Sequence, residues 1–350
     1  MSGAGGRPAR ALWFEAARTA VVRDEVARDP GPGEVQVEAV CSLVSAGSEL
    51  AAYRGELPAD ADVGIESVEG SFRFPVKFGY QVIGRVVETG PCTRLGVGDR
   101  VFAQHPHQDR FTLRDDERTL FRLPDELDPA RAAFIGLYRV ALNCLHDVPV
   151  RPGDCVAVSG LGVVGTFCAH LAAKVAGSLV LVDPAPGRRA LASWIGADAL
   201  VEPQEAREAV RALSDGRGTD VFIEASGAPG ALQVAIDCSA TEGTIGVVSW
   251  YGTRPVVLDL GSRFHTARLR LVSSWVGLVA TEASRRWTVA RQRAAACREL
   301  ARLDVDRLVT HTVAFEDAPS AYALCDRSPD EALGVLLEYG GRAPRARGRG

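Results

Sequence analysis

The sequence predicts an α/β protein of two domains, a β-rich, barrel-like one followed by a doubly wound parallel sheet. Three observations predict it. The chain has 350 residues, enough for two domains at the usual ~100–200 residues each. From Ala11 to Arg122 it reads as short alternating strands broken by turn signals. From Arg151 the rhythm changes to strand, helix, strand, and a glycine-rich turn joins the first strand of that run to its helix.

The elements follow in chain order. Residues 1–10 and 341–350 lack apolar periodicity and are rich in Gly, Arg, Ala and Pro, so both are expected to be disordered tails, the second one basic. The β-rich domain is expected over 11–135, with strands at Val35–Val40, Val82–Val87 and Gly96–Val101 and turn signals such as Pro30-Gly31-Pro32-Gly33. The second domain is expected over 136–272. It should contain strand Cys155–Ser159, a helix from Val163 to Ala176, strand Leu179–Val182, a helix from Gly187 to Ile195, and strands Val221–Glu224, Thr244–Ser249 and Leu269–Val272. Such alternation lays parallel strands side by side under covering helices. A helix over Glu282–Leu303 and strands Leu308–Phe315 and Gly334–Tyr339 then return the chain to the first domain over 273–340.

Composition bounds the function. With 47% hydrophobic and 24% charged residues the chain can bury a sizeable core, and a mean hydropathy of +0.03 predicts a soluble globular protein. The 40 basic residues against 44 acidic ones leave a net charge of −4, which weighs against a nucleic-acid partner held by phosphate contacts. No apolar run reaches the ~20 residues of a membrane helix, and MSGAGGRPAR lacks the apolar core of a signal peptide, so a cytoplasmic protein without a membrane partner is expected. The 8 cysteines are scattered singly, which excludes a disulfide framework and a zinc ribbon.

The segment Gly160-Leu161-Gly162-Val163-Val164-Gly165 follows a strand and opens a helix, the context a dinucleotide fingerprint requires. The first glycine permits the tight turn, the second lets a pyrophosphate approach the backbone, and the third lets helix pack on strand, as in Rossmann domains. The helix N-terminus then faces the phosphates. Asp183 ends the next apolar strand, where a carboxylate can accept hydrogen bonds from the adenosine ribose and repel a 2′-phosphate. NAD is therefore expected as the cofactor in preference to NADP, although Arg188 and Arg189 close downstream weigh the other way. Arg188, Ser226 and Ser249 are further candidate cofactor contacts.

Pro32-Gly33-Glu34-Val35, Gly98-Asp99-Arg100-Val101, Pro152-Gly153-Asp154, the GLGVVG turn, Glu224-Ala225-Ser226-Gly227 and Gly246 together resemble the medium-chain dehydrogenase/reductase superfamily of the alcohol dehydrogenase type. The resemblance covers residues 11–340. It implies a GroES-like catalytic domain plus a Rossmann domain, an NAD(H)-dependent oxidoreductase of the alcohol dehydrogenase or ketoreductase type, and a homodimer or homotetramer. Members commonly join Rossmann sheets edge to edge, with Thr244–Ser249 and Val256–Leu260 as the candidate segments here. Zinc-dependent members carry ligands at three positions that read Ala46, Tyr80 and Gly136 in this chain, in Ala46-Gly47-Ser48-Glu49, Gly79-Tyr80-Gln81 and just before the Rossmann unit. Since a catalytic zinc needs three protein ligands and an open position, no metal is expected, and the chain resembles a zinc-free branch.

Without a metal, a side chain must move the hydroxyl proton. Tyr80 stands at a lost ligand position, and its ordinary pKa of ~10 must fall before it can act as a base at neutral pH. Lys77 is the candidate cation for that. Ser48 and Glu49 are candidates to carry the proton onward. In His105-Pro106-His107-Gln108-Asp109 the proline and extended geometry splay the imidazoles, so His105 and His107 are expected to line the site or act in acid–base chemistry rather than bind metal. Gln81, Tyr138, Arg139 and His265 are candidate substrate contacts. Arg139 suits an anionic or polyhydroxylated substrate, or else an interdomain salt bridge. The expected activity is zinc-independent hydride transfer between NAD and a secondary alcohol or ketone of a polar small molecule, in specialised metabolism. Two alternatives stand beside it: a zinc-free quinone or enoyl reductase, against which Asp183 counts because such relatives usually prefer NADPH, and a non-catalytic NAD-binding protein.

Overall fold

The computed structural model describes residues 6–60 and 71–340. The chain divides into two compact units, one from residues 1–136 together with 295–350, the other from residues 137–294.

In the first unit, strands β1 (Gly6–Ala16) and β2 (Thr19–Arg28) form an antiparallel hairpin. Then come β3 (Glu34–Val44), β4 (Val82–Thr89), β5 (Arg100–Ala103), β6 (Arg110–Arg114) and β7 (Leu120–Arg122). Helix α1 (Ser48–Arg54) follows β3 directly. The second unit holds β8 (Cys155–Ser159), β9 (Ser178–Val182), β10 (Ala199–Val201), β11 (Thr219–Glu224), β12 (Ser239–Val247) and β13 (Arg270–Ser273), with helix α2 (Val163–Ala173) after β8. Helix α3 (Val289–Arg302) leads the chain back, and β14 (Val309–Ala314), helix α4 (Ala318–Arg327) and β15 (Gly334–Glu338) complete the first unit.

The first unit's main sheet runs β14-β15-β3-β4-β5-β7, with β6 pairing β3 as well. Its strands are antiparallel except for the parallel pair β14 and β15. Val35, Val37, Val82, Val86, Val101, Phe111 and Leu120 fill the interior of this curved sheet. Each such side chain contributes about 1.5–3 kcal/mol on burial, which is what closes the barrel-like form. A second cluster, built on Phe14, Tyr53, Phe78 and Tyr322, packs α1 and α4 together with the hairpin.

The second unit's sheet is fully parallel and ordered β10-β9-β8-β11-β12-β13. Numbered within the unit this is 3-2-1-4-5-6, the doubly wound Rossmann order, with β8 at the switch point where the fold places its ligands. Every residue of Cys155–Ser159 is buried, as expected for a parallel strand covered on both faces.

Several boundaries differ from the sequence expectation. Residues Gly6–Arg10, expected in a disordered tail, are the start of β1 and pair with Asp24–Arg28, so backbone pairing orders a segment that composition marked as solvated. Residues 1–5 and 341–350 lie outside the described residues. The return to the first unit falls at Ala295 rather than at residue 273. The helix expected over Glu282–Leu303 begins only at Val289, because Thr288 caps it: the Arg291 amide donates to Thr288 Oγ1 at 3.1 Å. The helix expected from Gly187 to Ile195 is a helix over Pro186–Ala192 followed by a 3₁₀ turn. Among the described residues no helix is long and apolar enough to cross a membrane.

Candidate active site

In the second unit the fingerprint turn is shaped by close approach. Gly160 has φ +88°, and a Cβ there would lie 2.4 Å from the Ser226 Cα; a Cβ on Gly165 would lie 1.7 Å from the Gly160 carbonyl oxygen. Neither position admits a side chain. Gly162 precedes α2 and no side chain caps the helix, so the amides of its first turn remain free for an anion. The nearest atom to a Cβ built on Gly162 is Arg188 Nη1, at 3.9 Å. Leu161 and Val163 are buried beneath the turn, and Val164 is half-buried.

Asp183 is only 3% exposed. Its Oδ2 accepts the Leu161 amide at 2.7 Å and its Oδ1 accepts the Ala185 amide at 2.9 Å, so the carboxylate ties the glycine turn to the end of β9 and keeps lone pairs for a ribose. Arg189 is taken up by the Asp183 and Pro184 carbonyls, at 2.6 and 2.9 Å, and by Glu202 at 3.2 Å. Ser226 donates to Glu224 Oε1, and Ser249 Oγ accepts the Gly227 amide at 2.8 Å. Both serines therefore brace the loop after β11 around a buried carboxylate. Sequence reasoning took Glu224 only as a landmark and missed Tyr251, whose phenol donates to Glu224 Oε2 at 2.5 Å. The set fits a dinucleotide: a turn without side chains, an uncapped helix N-terminus, and an acid at the second strand end.

The candidate substrate residues of this unit separate. Tyr138 is wholly buried with its ring edge-on to Phe167, so it is core rather than a substrate contact. Arg139 Nη2 reaches Gln292 Oε1 at 3.4 Å, and its Nε has no partner among the described residues. Burial and the nearby Arg293 lower its pKa to about 10. His265 is exposed on the short helix Arg263–Thr266 and joins no cluster of candidate residues.

In the first unit the structure gathers three hydroxyls. Tyr80 donates to Ser45 Oγ, Ser45 and Ser48 lie 3.2 Å apart, and Ser48 Oγ lies 2.8 Å from the Tyr80 hydroxyl. Each hydroxyl can donate once and accept once around this ring. Burial first, and then the charge of Glu49, push the Tyr80 phenol up to about 12. Lys77 does not offset this, because its Nζ is engaged by Glu25 and Gln108, at 2.9 and 3.0 Å. The expectation that Lys77 lowers the Tyr80 pKa is therefore corrected: Tyr80 is a hydrogen-bond donor that stays protonated.

Beside the ring lies a fully buried ionisable pair. His107 Nε2 is 3.0 Å from Glu49 Oε2, and His107 Nδ1 is 2.7 Å from Ser42 Oγ. The Tyr322 hydroxyl donates to Glu49 Oε2 at 2.6 Å, and Ser42 Oγ is 2.9 Å from the Tyr339 hydroxyl. His105 goes elsewhere. It stacks on Phe111 at 3.8 Å, donates from Nδ1 to the Pro106 carbonyl, and burial pulls its pKa down to about 3. It is held neutral, which removes it from acid–base work near neutral pH. Sequence reasoning missed Ser45, three residues before Ser48, and Ser42, Tyr322 and Tyr339, which no local pattern announces.

At the three positions where zinc-dependent relatives hold their metal, Ala46 carries no donor, the Tyr80 hydroxyl is occupied by two serines, and Gly136 is filled from outside. A Cβ on Gly136 would lie 2.4 Å from Oε1 of the buried Gln81. Gln81 thus packs where a third ligand would project instead of reaching toward a substrate. Among the described residues no three His, Cys, Asp or Glu side chains cluster as a metal site.

A model of the zinc-binding dehydrogenase family matches residues 160–295. The D-guloside 3-dehydrogenases of Shigella flexneri and Escherichia coli (strain K12) are each 30% identical to the chain over 291 residues, 81% of this chain and 81% of the relative. The (R,R)-butanediol dehydrogenase of Bacillus subtilis (strain 168) is 30% identical over 252 residues, 62% of this chain and 70% of that one. Among solved structures, alcohol dehydrogenase TADH from Thermus sp. ATN1 superposes with a TM-score of 0.75 at 25% identity, covering 95% of this chain and 100% of that one.

Proposed function

The chain belongs to the medium-chain dehydrogenase/reductase superfamily and is an alcohol-dehydrogenase-type oxidoreductase acting on alcohols, and from that premise we propose that it works with NAD and without zinc on a secondary alcohol, or the matching ketone, of a polar small molecule. The observation that carries the zinc-free part is the pairing of Gly136 with Gln81: the carboxamide stands where a third ligand would have to project. Bound NAD accepts or returns the hydride. The chain's own residues do the rest. The glycine turn and the first turn of α2 hold the pyrophosphate, Asp183 accepts from the ribose hydroxyls, and Arg188 lies beside Gly162 to meet phosphate charge. One hydroxyl of the Tyr80–Ser45–Ser48 ring, released from its neighbour, would donate to the substrate oxygen, doing by hydrogen bond part of what a Lewis acid does in zinc enzymes.

The relatives named for a guloside and a butanediol support a vicinal hydroxyl substrate, which the three-hydroxyl ring is suited to bind. A cytoplasmic homodimer or homotetramer is part of the same reading. Its candidate contact moves from Thr244–Ser249, whose first four residues lie in the internal strand β12, to the open edge strand β13 and the segment Val256–Leu260, where Val257 is 86% exposed.

The test is a purification without chelator or added metal, followed by elemental analysis and by assays of NAD reduction with a panel of sugar alcohols, glycosides and diols. Expected are well under one zinc per chain and turnover that a chelator leaves intact. Stoichiometric zinc whose removal abolishes turnover rejects the zinc-free reading, and failure to bind NAD rejects the cofactor assignment.

A further inference from the structure

We propose that Glu49 is the final proton acceptor for alcohol oxidation, taking the substrate's hydroxyl proton on its Oε1 by way of the Tyr80–Ser45–Ser48 hydroxyls. The proposal rests on the hydride-transfer reading above and adds the base that reading lacks.

Glu49 is wholly buried. A phenol can only donate to a carboxylate, so Tyr322 supplies one proton to Oε2 at 2.6 Å. His107 Nε2 stands 3.0 Å from the same oxygen, and on the far side of the ring Nδ1 stands 2.7 Å from Ser42 Oγ, itself 2.9 Å from the Tyr339 hydroxyl. With a neutral imidazole, one arrangement of protons satisfies every link: Tyr339 donates to Ser42, Ser42 donates to Nδ1, and the Nε2 proton goes to Oε2. In that arrangement all donors in the chain point at Glu49, and Oε2 receives two of them.

Oε1 is different. It is buried and accepts nothing among the described residues. A buried acceptor left bare costs about 1–3 kcal/mol, and native structures keep few such atoms without a use for them. Glu49 follows Ser48 in the first turn of α1, so the bare oxygen belongs to the residue next to one member of the hydroxyl ring. The route requires a hydrogen bond from that ring to Oε1, which is absent in this state. The charge of Glu49 already acts on Tyr80, helping to hold the phenol protonated, which makes Tyr80 a conduit and not the base.

The step balances. The substrate's C–H pair leaves as hydride to the oxidised nicotinamide, its O–H bond breaks as the C=O bond forms, and the proton converts the Glu49 carboxylate to the acid. The reverse sequence serves ketone reduction.

Glu49→Gln keeps the shape of the side chain and removes the charge. With NAD and a panel of secondary alcohols that includes butane-2,3-diol, kcat should fall by ~10²–10⁴, while KM and NAD affinity stay within about threefold. Glu49→Asp, which keeps the carboxylate, should recover part of the loss. Turnover by Glu49→Gln within about threefold of wild type overturns the proposal. Tyrosinate formation, followed by ultraviolet absorbance, needs no substrate. Removing the Glu49 charge should bring the titration of the buried tyrosines down by about one pH unit or more, and an unchanged titration overturns the proposal because no charge was there. Should Glu49→Gln fail to fold, Ser42→Ala cuts the chain one link back. It should lower kcat about tenfold with NAD binding intact, and an unchanged kcat again overturns the proposal. Loss of NAD binding by the wild-type protein is a separate outcome that strikes the hydride-transfer reading instead.

Discussion

Lys77 grips Glu25 and not Tyr80: its Nζ lies 2.9 Å from Glu25 Oε2, and the same carboxylate takes the Trp13 indole N–H at 2.6 Å. The cation thus fastens the β1–β2 hairpin to the loop before Tyr80. Lys77→Met should cost about 1 kcal/mol in urea unfolding, the scale of a partly exposed ion pair, and leave kcat within about twofold. Tyr80→Phe should do the opposite. It opens the hydroxyl ring while preserving the packing of the aromatic ring on Phe78, so kcat should fall by about 10–100-fold with NAD affinity and melting temperature nearly unchanged.

Gly136 and Gln81 are coupled by volume. Gly136→Ala pushes a methyl to 2.4 Å from Oε1 of the wholly buried Gln81 and should cost about 1–3 kcal/mol. Gln81→Ala empties that space, so the double variant should be more stable than the sum of the single losses predicts. A double-mutant cycle in urea reads the coupling; strict additivity would show that the two side chains do not share the space.

Asp183 has a structural task beside the cofactor task proposed for it. Asp183→Ser should weaken NAD binding at least tenfold and narrow the preference over NADP, as titration with the two cofactors would show. It should also lower the melting temperature of the cofactor-free protein, because the amides of Leu161 and Ala185 lose their acceptor at about 1–3 kcal/mol for a buried group. Unchanged cofactor selectivity would mean that Asp183 serves the turn alone.

His105 makes the fold acid-sensitive. Burial holds its pKa at about 3 in the folded chain, against an unfolded value of ~6.5. Between those values the unfolded chain binds the extra proton, so the stability this residue permits is full above pH ~6.5 and is lost as the pH falls toward 3. Denaturant titrations at pH 6.5 and 5 should differ by about 2 kcal/mol from this group, and His105→Gln should remove most of that difference.

The Rossmann half was legible because its signals are local. Cys155–Ser159 appears where its apolar run placed it, and the start of α2 at Val163 follows from the glycines before it. The β1–β2 hairpin was not. Its two-residue turn is Ala17-Arg18, with Arg18 at φ 58°, so the turn lacks the Asn-Gly or Gly signal that usually reveals such geometry. In the candidate site, Tyr80, Ser48, Glu49 and His107 stood out in the sequence, while the partners the structure gives them did not. Tyr322 reaches Glu49 across 273 residues of chain, and Tyr339 reaches Ser42 across 297. The Lys77 assignment failed for a related reason, since Glu25 approaches it from a strand 52 residues earlier.

The first unit is interrupted by the whole of the second, and β15 pairs with both β3 and β14. A nascent chain therefore exposes β3 without β15 until Gly334–Glu338 leave the ribosome, while residues 137–294 form one unbroken stretch that can fold as soon as it emerges. Tyr322 and Tyr339, which complete the hydrogen bonds around Glu49 and Ser42, are made only after the whole of the second unit. A chain stalled near residue 300 would thus carry its nucleotide cradle but not its proton chemistry. On the proposed mechanism, nucleotide capture would precede turnover during synthesis.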